Sequence, residues 1–243
     1  MPARSRDRRY FLKHSAALIA AAGAAPTTVY GTEPRNRYEP TWESLDAHPC
    51  PGWYRDAKIG MYFHWGPSSV PGWAPRAGGT PYAEWYWYAM EDEKNPTRAY
   101  HRNTWGADFP YERFFELFRG RRYRPEEWTA LARRAGARYV FMNAKHHDGF
   151  CMWPSAVTRR TAGHMGPKRD ILGSFVRAAR KDGLKTGFYY SFYEWFNPLY
   201  TGKERPYAGL IPARDYVDDF MVPQVRELID RYDPDFLYFD GEW

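Results

Sequence analysis

Four short apolar runs recur along the chain. Ile59-Gly60-Met61-Tyr62-Phe63-His64-Trp65 is closed by Gly66-Pro67. Arg138-Tyr139-Val140-Phe141-Met142-Asn143-Ala144 is the second, Thr186-Gly187-Phe188-Tyr189-Tyr190-Ser191 the third, and Phe236-Leu237-Tyr238-Phe239-Asp240, introduced by Asp233-Pro234, the fourth. Runs of this length bounded by turn residues predict buried strands. Helical spacing appears between them. Pro125-Glu126-Glu127-Trp128 predicts a helix start, because Pro suits the first turn and carboxylates suit the positive end. Trp128, Leu131, Ala132 and Ala135 follow on one face, and Gly136 ends the pattern. Phe175 to Lys181, closed by Gly183, predicts another helix. Asp215 to Tyr232 predicts a third, kinked at Pro223. Strand and helix therefore alternate, which calls for a parallel sheet with crossover helices. A doubly wound sheet and a (β/α)₈ barrel both fit that order. No Gly-rich phosphate turn follows the first strand, which counts against a dinucleotide fold.

Polar residues collect where these strands end. The first run ends at His64-Trp65 and the second leads into Lys145-His146-His147-Asp148-Gly149-Phe150. The third ends at Tyr189-Tyr190-Ser191 with Glu194-Trp195 just beyond, and the fourth at Asp240-Gly241-Glu242-Trp243. In barrel enzymes the C-terminal strand ends converge on one pocket, so four such endings in succession predict a site. Alternation along a strand places Tyr189 and Tyr190 on opposite faces, so one of the two points toward that pocket. His146 and His147 would point apart on a regular strand, and no further ligands complete a metal set, so hydroxyl binding is the favoured reading over metal. Asp240 reads either as a plain Asp-Gly turn or as a carboxylate on the floor of an aromatic pocket, able to attack an anomeric carbon or to act as a base.

Composition narrows the class. Hydrophobic residues make up 44% of the 243, enough for a core, and 11 Trp, 20 Tyr and 15 Phe suit either a ring-rich core or a site that stacks rings on sugars. The net charge of +6 does not indicate nucleic acid. Arg4, Arg6, Arg8, Arg9 and Lys13 crowd the first thirteen residues against a single Asp7, and the remaining charges are mixed in sign. Asp7-Arg8-Arg9-Tyr10-Phe11-Leu12-Lys13 followed by an Ala-rich apolar run resembles a bacterial twin-arginine export signal over residues 1–30. That run is too short and Ala-rich for a membrane anchor. Residues 31–40 read as a linker. Cys50 and Cys151 are expected as free thiols.

Five blocks together resemble the α-L-fucosidases of glycoside hydrolase family 29. They are Lys58 to Gly66 with Ser69-Val70-Pro71; Glu84-Trp85-Tyr86; Ala144 to Phe150 with Trp153; Tyr189-Tyr190-Ser191 leading into Glu194-Trp195-Phe196-Asn197-Pro198-Leu199-Tyr200; and Asp240-Gly241-Glu242-Trp243. The resemblance runs from about Trp42 to the last residue. It implies an α/β fold, a (β/α)₈ TIM-like barrel of which about the first four β/α units are present over residues 41–243. It also implies exo-acting, retaining release of terminal α-L-fucose from fucosylated oligosaccharides or glycoconjugates, with no cofactor, no nucleic acid and no membrane anchor. Homo-oligomerisation of the complete protein stays open. Carried over by position, Asp240 is the nucleophile, and His64, Glu84, Trp85, His146, His147, Tyr189 and Tyr238 bind the sugar. Tyr238 stands where many members carry Trp. A retaining mechanism needs a second carboxylate roughly 5–5.5 Å from the first. The resemblance places it downstream of the nucleophile strand, outside this chain. Glu194 and Glu242 qualify on chemistry alone, without a family role. The expectation is therefore a partial catalytic domain; the alternative is an inactive fucose-binding fragment, or a half-barrel needing a partner chain for the acid/base.

Overall fold

The computed structural model describes residues 38–195, 197–201 and 214–241. The export-signal reading, most of the linker, and Glu242 and Trp243 lie outside the described residues. Elements in chain order are α1 (Trp42–Asp46), α2 (Gly52–Ala57), β1 (Gly60–Phe63), α3 (Tyr86–Glu91), α4 (Pro96–Thr104), α5 (Arg113–Leu117), α6 (Pro125–Arg134), β2 (Tyr139–Lys145), α7 (Ile171–Lys181), β3 (Lys185–Ser191), α8 (Pro198–Thr201), α9 (Val222–Tyr232) and β4 (Phe236–Asp240). The strands form a parallel sheet in the order β1-β2-β3-β4, as their alternation with helices requires. Parallel strands need long crossovers, and α6, α7 and α9 supply them.

Alternation divides the sheet into two faces. Phe63, Phe188 and Tyr190 face the helices: Phe63 stacks on Trp128 with centroids 5.3 Å apart, Phe188 meets Tyr232 at 5.6 Å, and the Tyr190 hydroxyl donates to Gln224 Oε1 at 2.7 Å. Tyr62, Phe141, Tyr189 and Tyr238 form an aromatic row on the other face, with neighbouring centroids 5.7 to 6.2 Å apart where Tyr189 or Tyr238 is involved and 4.5 Å between Tyr62 and Phe141. Below this row the Tyr139 ring lies across Gly60 and the Phe236 ring across Gly187, positions that a Cβ would fill. Trp53 and Tyr54 of α2 cap that end, each in ring contact with Tyr139 and Phe236.

Three differences from the sequence reading have local causes. First, α7 begins at Ile171 rather than near Phe175, because Asp170 caps it, accepting from the Gly173 N–H at 2.8 Å. Second, the kink expected at Pro223 is a π-helical stretch, Tyr216–Met221, that runs directly into α9. Pro223 has no N–H to give the preceding turn, and the wider turn absorbs the missing bond. Third, the span between β1 and α6, which carries no clear periodicity, folds into α3, α4 and α5 with a 3₁₀ turn at Ala83–Trp85. These short elements are held by rings: Trp87 stacks on Tyr111 at 4.7 Å, and Phe114 and Phe115 are fully buried. Cys50 and Cys151 are free thiols, as expected.

Candidate active site

The residues singled out at the strand ends meet at one end of the sheet. Asp240 closes β4 with its side chain 27% exposed. One carboxylate oxygen accepts from the Gly241 N–H at 2.8 Å, and the other accepts from the Tyr189 hydroxyl. The same oxygen lies 3.8 Å from His147 Nε2. Tyr189 on β3 is buried, stacked on His146 with centroids 5.6 Å apart and nearly parallel planes. Burial first, then the Asp240 carboxylate, raises its pKa far above the ordinary phenol value, so it remains a hydroxyl donor.

His146 and His147 follow β2, where the register against β3 shifts between Asn143 and Lys145. A bulge of this kind re-aims the chain. Both rings consequently join the cluster, their centroids 4.2 Å apart, instead of pointing to opposite faces. His64 follows β1, and its ring lies 4.7 Å from His146. The Trp65 backbone N–H donates to Asn143 Oδ1 at 2.8 Å, tying this strand end to β2.

Burial keeps the inner histidines neutral. It pushes His146 well below its ordinary pKa, with His147 and His64 adding to the effect. It pushes His147 down to about 4, against the pull of Asp240. His64, more open at the rim, is lowered by partial burial, opposed by Glu84 and Asp240. The hydrogen bonds of His147 assign its tautomer. Ser191 Oγ sits 2.6 Å from both His147 Nδ1 and the Tyr193 carbonyl. A carbonyl only accepts, so the serine donates there and His147 Nδ1–H donates to the serine. With Nδ1 protonated, neutral His147 presents Nε2 as an acceptor on the Asp240 side of the cluster, 3.8 Å from the carboxylate.

Glu84 and Trp85 arrive on the 3₁₀ turn before α3, both partly buried. Glu84 is close enough to act on both neighbours: it opposes the lowering of the His64 pKa by burial and adds to the raising of the Tyr62 pKa. The Trp85 ring stands edge-on to His147 at 5.6 Å and to Trp195 at 5.5 Å. Tyr238 stacks on Tyr189 at 5.9 Å but is 54% exposed, so it lies on the open side of the cluster.

Glu194, a proton-donor candidate on chemistry alone, is committed elsewhere. Its carboxylate is 3.0 Å from Lys145 Nζ, both side chains being almost wholly buried, and it accepts from Tyr216 at 3.3 Å. It therefore does not face Asp240 as a second free carboxylate. Sequence reasoning named Ser191 and Trp195 only among the strand-end residues, and Tyr62 only within a strand, without a binding role for any of them; all three pack into the cluster. Tyr62 was recoverable, since it lies two residues before His64 on the same strand face. The Ser191 bond to His147 carries no comparable signal. Among the described residues, no group of three or more His, Cys, Asp or Glu is placed to hold a metal ion.

Comparison with known proteins bears on this cluster directly. Residues 27–243 match the family model described as Alpha-L-fucosidase. The chain belongs to the α-L-fucosidase family. Tissue alpha-L-fucosidase of Rattus norvegicus is 37% identical over 230 residues, covering 94% of this chain and 46% of the rat protein. The alpha-L-fucosidase of Dictyostelium discoideum is 36% identical, covering 85% of this chain and 45% of its own. The crystal structure of Thermotoga maritima alpha-fucosidase superposes with a TM-score of 0.77 at 41% identity, over 84% of this chain and 49% of that one. A second structure of the Thermotoga enzyme, in complex with fucose, gives a TM-score of 0.77 at 40% identity, over 84% of this chain and 50% of that one. The chain thus spans about half the length of its α-L-fucosidase relatives.

Proposed function

We propose that this chain carries the nucleophile half of an exo-acting, retaining α-L-fucosidase that releases terminal fucose from glycans. The observation that carries the reading is the Asp240 carboxylate. It is held by Tyr189 and the Gly241 N–H, and it faces His147 at a strand end ringed by neutral histidines and aromatic rings. A deoxy sugar offers three hydroxyls and a methyl. His64, His146, His147 and Glu84 bind the hydroxyls, and Trp85, Tyr189 and Tyr238 cover the apolar parts. The His147 lone pair accepts from a sugar hydroxyl next to the reacting carbon. Hydrogen bonds of this kind tighten as the oxocarbenium-like transition state forms, so they lower the barrier and not only KM.

In the first step an Asp240 oxygen attacks the anomeric carbon, while the leaving-group oxygen takes a proton from a second carboxylic acid. In the second step that residue, now a carboxylate, takes a proton from water. The water oxygen attacks the same carbon and frees Asp240. The acid/base belongs to the portion of the family that follows the nucleophile strand. The same family reading implies that the parallel sheet continues into a closed (β/α)₈ barrel, and the twin-arginine pattern implies export of the folded protein.

The test is release of nitrophenol from 4-nitrophenyl α-L-fucoside by the complete protein and by Asp240→Ala. The variant is expected to lose turnover by at least about 10⁴-fold, since a missing nucleophile leaves only binding and electrostatic contributions. A slow-turnover fucosyl substrate should leave its sugar esterified to Asp240, read by peptide mass spectrometry. A label on another carboxylate would overturn the assignment.

A further inference from the structure

Trp65 follows His64 directly, and its side chain turns out of the fucose cluster onto Phe118, Tyr123 and Trp128. An open cleft of about 700 Å³ lies there, lined by Trp65, Tyr123 and Trp128 and rimmed by Arg119, Arg121 and Arg122. Its volume is that of a ligand site. No acidic side chain lines it among the described residues, and the three rim guanidiniums are exposed. The turn that carries them is fixed. Gly120, at φ +56°, packs so closely on Trp65 that a Cβ would come within 3.1 Å of the indole. The Gly120 carbonyl accepts from Arg169 at 2.5 Å and from the Tyr123 N–H at 3.0 Å. Arg124 donates to the Arg121 carbonyl at 3.3 Å. Arg124 and Arg169 thus serve the turn itself, whereas Arg119, Arg121 and Arg122 project from it.

We propose that this cleft binds an acidic sugar unit, bearing sulfate or carboxylate, of the glycan from which the fucose is released. The proposal rests on the fucosidase reading for its link to catalysis. Guanidinium groups match the flat, two-oxygen face of a sulfate or carboxylate. Tryptophan rings cover the apolar C–H face of a pyranose, and Trp65 and Trp128 are partly exposed here while Tyr123 is buried beneath them. Three exposed cations on one fixed turn repel one another, and an anionic ligand relieves that repulsion. An aromatic floor flanked by three guanidiniums on one short turn matches a compact sugar unit, whereas a polyanion strand calls for a longer basic stripe. Trp65 also ties the two sites together: its N–H holds Asn143, and its neighbour His64 belongs to the fucose cluster.

The experiment compares the complete protein with Arg119→Gln/Arg121→Gln/Arg122→Gln. The substrates are 4-nitrophenyl α-L-fucoside, a neutral fucosylated trisaccharide, its sulfated form and its uronate-containing form. At least one acidic trisaccharide is expected to exceed the neutral one by about tenfold or more in kcat/KM, with the gain in KM, weakening as salt rises. The triple variant is expected to lose that preference and to keep its rate on the aryl fucoside. Which acidic form gains distinguishes sulfate from carboxylate. Equal kcat/KM on acidic and neutral substrates, or a preference that survives in the variant, overturns the proposal. Binding is read separately by quenching of tryptophan fluorescence with a sulfated tetrasaccharide, its desulfated form and a DNA oligomer of equal charge. Loss of aryl fucoside hydrolysis alone sinks the catalytic reading and leaves this binding readout intact. Quenching by DNA equal to that by the sulfated sugar overturns the sugar assignment.

Discussion

His147 has its Nδ1–H committed to Ser191 and its Nε2 turned toward Asp240, so its protonation state decides what it can do for a substrate. With a pKa near 4 it is neutral at ordinary pH, and Nε2 can only accept. The sign for stability follows. Unfolded, a histidine takes up its proton near 6.5; folded, His147 does so only near 4. Between those values the unfolded chain binds more protons, and stability falls as pH drops. His146 is displaced in the same direction by burial. Asp148 opposes them: burial raises its pKa from 3.8 to about 6, so its contribution falls as pH rises through that window. Thermal melts of the intact protein from pH 4 to 7 should therefore show a Tm that rises with pH. His147→Gln should flatten the rise and Asp148→Asn steepen it. A Tm falling across the window would remove the neutral-histidine reading. Tyr189→Phe tests the other partner of Asp240. Losing a hydrogen bond to a charged group costs about 1.5–3 kcal/mol. A fall in kcat/KM of about 10–100-fold on the aryl fucoside is the expected result, with a lowered Tm from the same lost bond. An unchanged rate would separate Tyr189 from the chemistry.

At the level of elements, the strands were legible because each is a short apolar run with a chemical residue at its end. The helices α6 and α9 carried caps or periodicity. The span from Pro67 to Leu117 was not legible, because its short helices are fixed by ring-on-ring packing between residues distant in sequence, such as Trp87 with Tyr111, and local spacing does not encode that. Lys145 was legible only as one of the polar residues at a strand end, and its burial was not: it is fully buried, 3.0 Å from Glu194 and 4.5 Å above the Tyr190 ring. Burial works against its charge, but the Glu194 carboxylate and the surrounding phenols hold its pKa well above the ordinary value. The pair fastens the end of β2, just before His146, to the loop beyond β3, where the Trp195 N–H meets the His147 carbonyl at 2.9 Å. Removing one partner strands a buried charge. Lys145→Met alone should cost about 3–5 kcal/mol, and Lys145→Met/Glu194→Leu should regain much of it. Both should raise KM for the aryl fucoside, since either way the loop loses its anchor. A double variant as unstable as the single in thermal melts would contradict this account. Gly149→Ala should be severe for a related reason: φ is +76° and the new Cβ would meet Glu194.

For the molecule as a whole, the parallel sheet and the grouping of its strand-end residues were readable from order and spacing, but closure of the sheet was a matter of family resemblance. β1 and β4 are the outer strands of the described sheet, and the aromatic face between them is incompletely covered. Tyr238 is 54% exposed. A concave region of about 710 Å³ is lined by Trp53, Tyr54, Tyr139, Phe141, Phe236 and Tyr238 among others. Unpaired strand edges beside an exposed apolar face favour association between copies. In a closed barrel the same face is interior and filled by side chains. A polypeptide confined to residues 38–243 should therefore bind a hydrophobic dye and self-associate at micromolar concentration. One extended to the length of the rat or Thermotoga relatives should do neither. Light scattering and dye fluorescence read both outcomes. Adding Tyr238→Lys to the short polypeptide should weaken self-association, because the charge sits on the exposed face beside the β4 edge, and should disfavour closure of the long one, where the same position points inward. A short polypeptide that stays monomeric and dye-free would mean that this face is already satisfied, and the barrel reading would lose its physical motive.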